Sequence, residues 1–271
     1  MKPSKWDRRI ARAEELATTH PFASEVLSFY KNLAGLQRAV YLDVEQAHGG
    51  NHGNSTASLL GCQLDVDLLM PKFRQFLSNL EADRSQPIAQ SAKDLNSERT
   101  ARCPDVLVSV WEKASDFQPA LANPESLLAW LFLQPYAESL ADHNAHAPLH
   151  GTTARCPFCL GKPQVGVLRP EGDGAKRFLI CSLCSTEWAY GRILCPACGE
   201  ETVDKLAIYT ASQFSHVRVE GCDTCGHYIK TVDLTKNGLA VPVVDELATI
   251  PLNFWAYEHG YVKMQTNLLG I

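Results

Sequence analysis

The chain has 271 residues, a formal net charge of −5 and 45% hydrophobic residues. This composition excludes a disordered chain and allows one or two domains with a real core. The acidic balance gives no general reason to expect nucleic acid or an anionic membrane as partner, and no apolar run approaches the roughly 20 residues of a membrane-spanning helix.

The opening MKPSKWDRRIARAEELATTH is charged and lacks the apolar stretch of a secretory signal, so a cytoplasmic location and reduced thiols are expected. RRIARAEELATTH reads as an amphipathic helix that His20-Pro21 ends. In the next segment Val26, Phe29, Tyr30, Leu33, Leu36, Val40 and Leu42 recur at helical spacing. GGNHGN (49–54) reads as a loop. Helices are expected over Asp65–Leu80, with Pro71 a kink point, and over Pro104–Phe117. Asn123 as N-cap and Pro124 at the first helical position open a further helix, which Pro135 is expected to kink or split. Cys62 and Cys103, the only cysteines before residue 151, read as small buried apolar side chains. HNAHAPLHGTT (143–153) reads as a boundary, with His143, His146 and His150 as linker residues and not ligands.

Beyond the boundary the pattern shortens to strands. PQVGVLR and AKRFLIC flank the turn EGDG, KLAIYTA and HVRVEGC form a second candidate pair, and YIKTVDLT reads as a third strand. DELATIPLNFWAYEHG returns to a helical pattern that Asp245 is placed to cap and that contains Pro251.

This half carries four CxxC pairs: Cys156 and Cys159, Cys181 and Cys184, Cys195 and Cys198, Cys222 and Cys225. They are separated by 21, 10 and 23 residues. Two residues between cysteines let both sulfurs of a tight turn reach one ion, and two such turns joined by a hairpin make a four-thiolate cage. A redox CxxC normally occurs once, at a helix N-terminus, and disulfides do not suit a reducing compartment. All eight cysteines therefore read as ligands of two metal ions. Sequential pairing, 156/159 with 181/184 and 195/198 with 222/225, is favoured over cross-bracing because each long interval holds its own hairpin. Gly199 and Gly226 relax their turns and free an N–H for sulfur, whereas Leu160 and Ser185 make the first site less regular. Four thiolates suit iron and zinc alike and leave no open position for hydrolytic chemistry. Residues 151–271 hold 11 Lys+Arg against 12 Asp+Glu, so a zinc-ribbon nucleic-acid binder is the weaker alternative.

CPFCLGKPQVGVLR, FLICSLCSTEWAYGRILCPACGEE and CDTCGHYIKTVD resemble the FdhE family of formate dehydrogenase accessory proteins, as do HPFASEVLSFYKNLAGLQ, FLQPYAESLA and DELAT…EHGY. Leu160 departs from the glycine usual in that family's first CPxCG. The resemblance implies an α+β fold: a helical domain (1–150), a first rubredoxin-like metal module (151–190), and a second (191–271) with a C-terminal helix. It implies a cytoplasmic factor, not an enzyme, that binds the catalytic subunit of respiratory formate dehydrogenase before export, without nucleic acid or membrane insertion. It also makes iron a serious option beside zinc.

Within STEWAYGR, Trp188, Tyr190 and Arg192 are the candidate partner-facing residues; the competing reading packs Trp188 between the two modules. Glu187 and Arg192 can form an ion pair, and His227 and Tyr228 pack locally. The competing function is electron transfer by rubredoxin-type iron.

Overall fold

Ser4 opens the first helix of a computed structural model that describes residues 4–48, 64–82, 88–97, 102–143 and 153–271. Its hydroxyl accepts the Asp7 N–H at 3.1 Å, and the Asp7 carboxylate accepts the Ser4 N–H at 3.0 Å, a complete capping box. Helix α1 (Lys5–Thr19) ends before Pro21, as expected. It packs along α2 (Ser24–His48), which buries Leu27, Tyr30, Leu33, Ala34 and Val40 at helical spacing. Leu42 lies on the exposed side of that helix. The expected loop 49–54, Cys62, His146 and His150 lie outside the described residues.

α3 (Val66–Ala82) runs through Pro71. α4 (Ala89–Ser97), which has few apolar residues, was not anticipated. α5 (Arg102–Glu112) is shorter than expected and stops before Phe117, whose ring stacks on Trp130 at 4.5 Å. Cys103 is buried, with its thiol on the Leu95 carbonyl.

α6 (Pro124–His143) is the central helix of this half, and every residue from Leu128 to Ser139 is buried. Asn123 caps it through the Ser126 N–H at 2.8 Å. Pro135 does not split it. A helical proline leaves the carbonyl four residues back without its donor. Here that carbonyl, on Leu131, accepts Gln37 Nε2 from α2 at 2.8 Å. His143 closes the helix, with Nδ1 2.8 Å from the Ser139 carbonyl.

The second half is one sheet. β1 (Pro163–Glu171) and β2 (Gly174–Cys181) form the expected hairpin, with Gly172 in the turn at a φ of +56°. β3 (Glu187–Ala189) extends it. β4 (Leu206–Thr210), β5 (Val217–Cys222) and β6 (His227–Asp233) form an antiparallel meander. The two groups join through a parallel pairing of β1 with β6, giving the order β3-β2-β1-β6-β5-β4. At that junction Gly166 faces Thr231 so closely that a Cβ on residue 166 would collide with its side chain. β7 (Val262–Lys263) adds to the start of β6.

The expected C-terminal helix is two helices, α7 (Pro242–Ala248) and α8 (Ile250–Glu258), broken at Thr249 because Pro251 needs the first turn of a new helix. Asp245 is not the N-cap, which is Val241. Its buried carboxylate instead accepts Val241 N–H at 2.7 Å, Arg12 of α1 at 2.6 and 3.0 Å, and contacts His216 Nε2 at 2.8 Å. α7 is thereby pinned between the helical half and the sheet. Beside it, fully buried Lys230 and Glu246 pair at 2.9 Å. No helix among the described residues is long and apolar enough to cross a membrane.

Candidate metal centres

Each hairpin brings two CxxC turns to one end of the sheet. The sulfurs of Cys156, Cys159, Cys181 and Cys184 lie within 4.8 Å of one another, and so do those of Cys195, Cys198, Cys222 and Cys225. This is the sequential grouping; the cross-braced one is not formed. Among the described residues no histidine joins either group. The separations are 3.2, 3.5 and 3.6 Å in the first cluster and 3.7 and 3.8 Å in the second, far beyond a disulfide bond. An ion held tetrahedrally about 2.3 Å from four sulfurs sets them about 3.8 Å apart. The second cluster matches that edge and the first is slightly tighter, so both donor sets fit a tetrahedral ion that favours thiolate.

The turns repeat one backbone plan. Leu160, Ser185, Gly199 and Gly226, each following a second cysteine, have φ of +59°, +55°, +79° and +68°. In φ the first site thus follows the second, although its two non-glycine residues sit where left-handed backbone costs about 1–2 kcal/mol each. The N–H groups of Leu160, Gly199 and Gly226 donate to the carbonyls of Cys156, Cys195 and Cys222, not to sulfur as expected. Among the N–H groups that reach sulfur are two from residues between the cysteines: Leu183 to Cys181 and Ala197 to Cys195, both at 3.4 Å. A Cβ at Gly161 would lie 3.1 and 3.2 Å from two sulfurs of the first cluster, so that turn needs its glycine.

Burial penalises ionised sulfur, and the clusters answer it by hydrogen bonding. Burial opposes ionisation of Cys156, yet the thiols of Cys159, Cys181 and Cys184 together hold it well below the usual thiol range. Cys159 is raised first by its bond to Cys156, and Cys181 and Cys184 by burial. In the second cluster burial raises Cys195 and Cys225, while at Cys222 burial is outweighed by backbone N–H groups and the Cys198 and Cys225 thiols together. Burial therefore works against four thiolates in one cluster. A bound cation supplies the charge that lets all four ionise.

The two centres differ in exposure. All four cysteines of the first are buried, whereas Cys198 is exposed and Cys225 half-buried. The first centre is also clasped by the helical half: Gln134 Nε2 donates to the Ser182 carbonyl at 2.8 Å, and Arg9 to Ser185 Oγ at 3.2 Å. The turns of the second are clipped by Glu200, which accepts Thr224 Oγ1 at 2.6 Å and whose carboxyl is lowered to about 2 chiefly by that bond.

Of the three candidate partner-facing residues, Trp188 and Tyr190 face inward and only Arg192 is exposed. Trp188 is buried with its indole N–H on the Thr153 carbonyl at 2.9 Å, and Tyr190 is buried with its hydroxyl on the Cys195 carbonyl. Glu187 pairs with Arg169 rather than Arg192. His227 packs locally, with Nδ1 2.9 Å from the Cys225 carbonyl. Sequence reasoning missed Arg177, which is buried behind the second centre, paired with Glu220 at 2.6 Å and donating to the carbonyls of Gly191 and Leu194. A lone arginine in a strand gives no sign of this role.

Two family models match this half: "FdhE, central domain" over residues 155–192 and "FdhE, C-terminal domain" over 193–269. The protein FdhE homolog of Aquifex aeolicus is 37% identical over 141 residues, 51% of this chain and about half the length of that relative (50%). Protein FdhE of Escherichia coli O157:H7 is 26% identical over 274 residues, covering 97% of this chain and 86% of the relative. The crystal structure of the FdhE protein from Pseudomonas aeruginosa shares the fold, with a TM-score of 0.72, 24% identity and coverage of 99% of this chain and 97% of that one.

Proposed function

We propose that this chain, which belongs to the FdhE family, is a cytoplasmic accessory factor that binds the catalytic subunit of a respiratory formate dehydrogenase during its maturation, before export. It acts by binding and not by catalysis. Cys156, Cys159, Cys181 and Cys184 hold one metal ion and Cys195, Cys198, Cys222 and Cys225 the other, either iron or zinc. The domain division at about residue 150 and between the centres at about 190 belongs to the same reading.

The observation that carries this reading is the pair of four-sulfur clusters at one end of a single sheet. Each offers an ion four protein ligands and no open position, which suits a metal that holds shape and not one that activates substrate. The exposure of Cys198 favours a second reading, electron transfer by rubredoxin-type iron. A reversible visible absorption change with a defined potential identifies that reading.

The test is co-purification from cytosol with tagged wild type and a Cys222→Ser/Cys225→Ser variant. Capture of the formate dehydrogenase catalytic subunit by wild type supports the role. Loss of capture in the variant assigns binding to the shape of the second centre. Absence of the subunit from the wild-type eluate, when the extract contains it, overturns the role.

A further inference from the structure

Of the eleven large apolar side chains that stand exposed among the described residues, seven lie between residues 193 and 262, in the half that carries the exposed sulfurs. Three of them, Ile193, Val203 and Ile208, border one half-open cavity of about 110 Å³ beside Cys195 and Cys222. Leu194, Leu206 and Ile229 complete its apolar wall. The room is that of one aliphatic side chain, and an apolar cavity of such size favours an apolar occupant.

The cavity sits against a free strand. β4 ends the sheet order, so its outer edge carries backbone groups that no strand among the described residues pairs. Ile208 lies opposite Glu220, and Glu220 opposite Ile229, so these side chains share one face. The other face is covered, since Tyr209 packs on Trp255 of α8 and Lys230 on Glu246 of α7. The β4 sequence, Leu-Ala-Ile-Tyr-Thr, has none of the lysine, proline or charge with which proteins usually block an edge. At the rim, exposed Arg192 pairs with no carboxylate among the described residues and makes only a 3.4 Å bond to the Ala175 carbonyl.

We propose that the β4 edge and this cavity together form the docking surface for an extended segment of the partner subunit. That segment adds a strand to β4, places one aliphatic side chain in the cavity, and sets an acidic residue near Arg192. An extended chain is required because only a strand satisfies a strand edge, and the cavity gives it register. A second copy of this chain fits less well: the edge it would present, Leu206–Thr210, carries no acidic residue to meet Arg192. The proposal rests on the partner-binding role above.

The test uses metal-loaded full-length protein and the purified catalytic subunit of formate dehydrogenase. Affinity is measured for wild type, Ile208→Glu, Arg192→Glu and the distant control Leu121→Glu, with circular dichroism and metal content confirming the fold. Ile208→Glu is expected to weaken binding by about tenfold or more, since a charge replaces an apolar contact at the cavity mouth. Arg192→Glu is expected to weaken it severalfold without touching the core, and Leu121→Glu to leave it unchanged. Amide exchange at residues 206–210 slows in the complex. Wild-type affinity in a folded Ile208→Glu protein, with unchanged exchange at 206–210, overturns the docking surface and leaves the function standing. No binding by wild type overturns both. A doubled mass in light scattering that Ile208→Glu abolishes gives the edge to a second copy and overturns the proposal.

Discussion

Gln134 Nε2 donates to the Ser182 carbonyl at 2.8 Å, so the central helix of the bundle holds the turn that carries Cys181 and Cys184. Gln37 fixes that glutamine in turn, giving Nε2 to Gln134 Oε1 at 3.0 Å and to the Leu131 carbonyl at 2.8 Å. One buried amide thus repairs the break made by Pro135 and orients the contact with the first metal centre. Replacing Gln37 with leucine leaves two buried acceptors without donors. The expected loss is about 2 kcal/mol or more in denaturant unfolding of the whole chain. Stability within about 0.5 kcal/mol of wild type would show that α6 does not need this donor.

The two centres are expected to release metal at different rates. The first is buried on all four sulfurs, while in the second Cys198 is exposed and Cys225 only partly buried. Release to a chelating dye should be biphasic, with one equivalent lost early and Cys198 alkylated first. The Cys222→Ser/Cys225→Ser variant should lack the fast phase. A single phase releasing two equivalents, with equal labelling of both clusters, would contradict the asymmetry.

Gly166 and Thr231 join the two hairpins where β1 meets β6. Gly166→Ala forces a methyl group into the threonine side chain and should destabilise the protein by about 1–3 kcal/mol. Both centres should loosen together, read as faster metal release from each. Wild-type stability in this variant would mean that the parallel seam has slack.

Glu246 supplies the acid dependence. Burial pushes its carboxyl up, but Lys230 and Lys263 outweigh burial and hold it at about 2. A carboxylate whose folded pKa lies below its unfolded value stabilises fully above the unfolded value, near 4.5, and that contribution is lost as pH falls toward 2. Stability at matched metal content should therefore decline through this window in wild type, and Glu246→Gln should flatten the decline while lowering stability at neutral pH. A variant with the wild-type slope would place the acid sensitivity elsewhere.

What was legible in the sequence was local. CxxC spacing, the Gly172 turn, the Asn123-Pro124 start and the end at Pro21 each depend on a few neighbouring residues, and each took the expected place. The misreadings came from partners far along the chain. Pro135 sits in an unbroken helix because Gln37, 94 positions from Leu131, supplies the missing donor. Asp245 reads as a cap but meets Arg12, 233 positions away. Trp188 and Tyr190 resemble interface anchors, yet both are buried, Trp188 with its indole N–H on the Thr153 carbonyl 35 positions away, while the two hairpins join into one sheet. That joining is a parallel pairing of β1 with β6, which no turn motif announces. The partly exposed second centre and its neighbouring cavity are likewise properties of the assembled sheet.

The most direct test of the central claim, that a metal-held half binds the catalytic subunit of formate dehydrogenase, is calorimetric titration of that subunit into metal-loaded and metal-stripped protein. Saturable binding by the loaded protein, lost on stripping and regained on reloading, is the predicted result. Failure of the loaded protein to bind, or equal binding by the stripped protein, would contradict it.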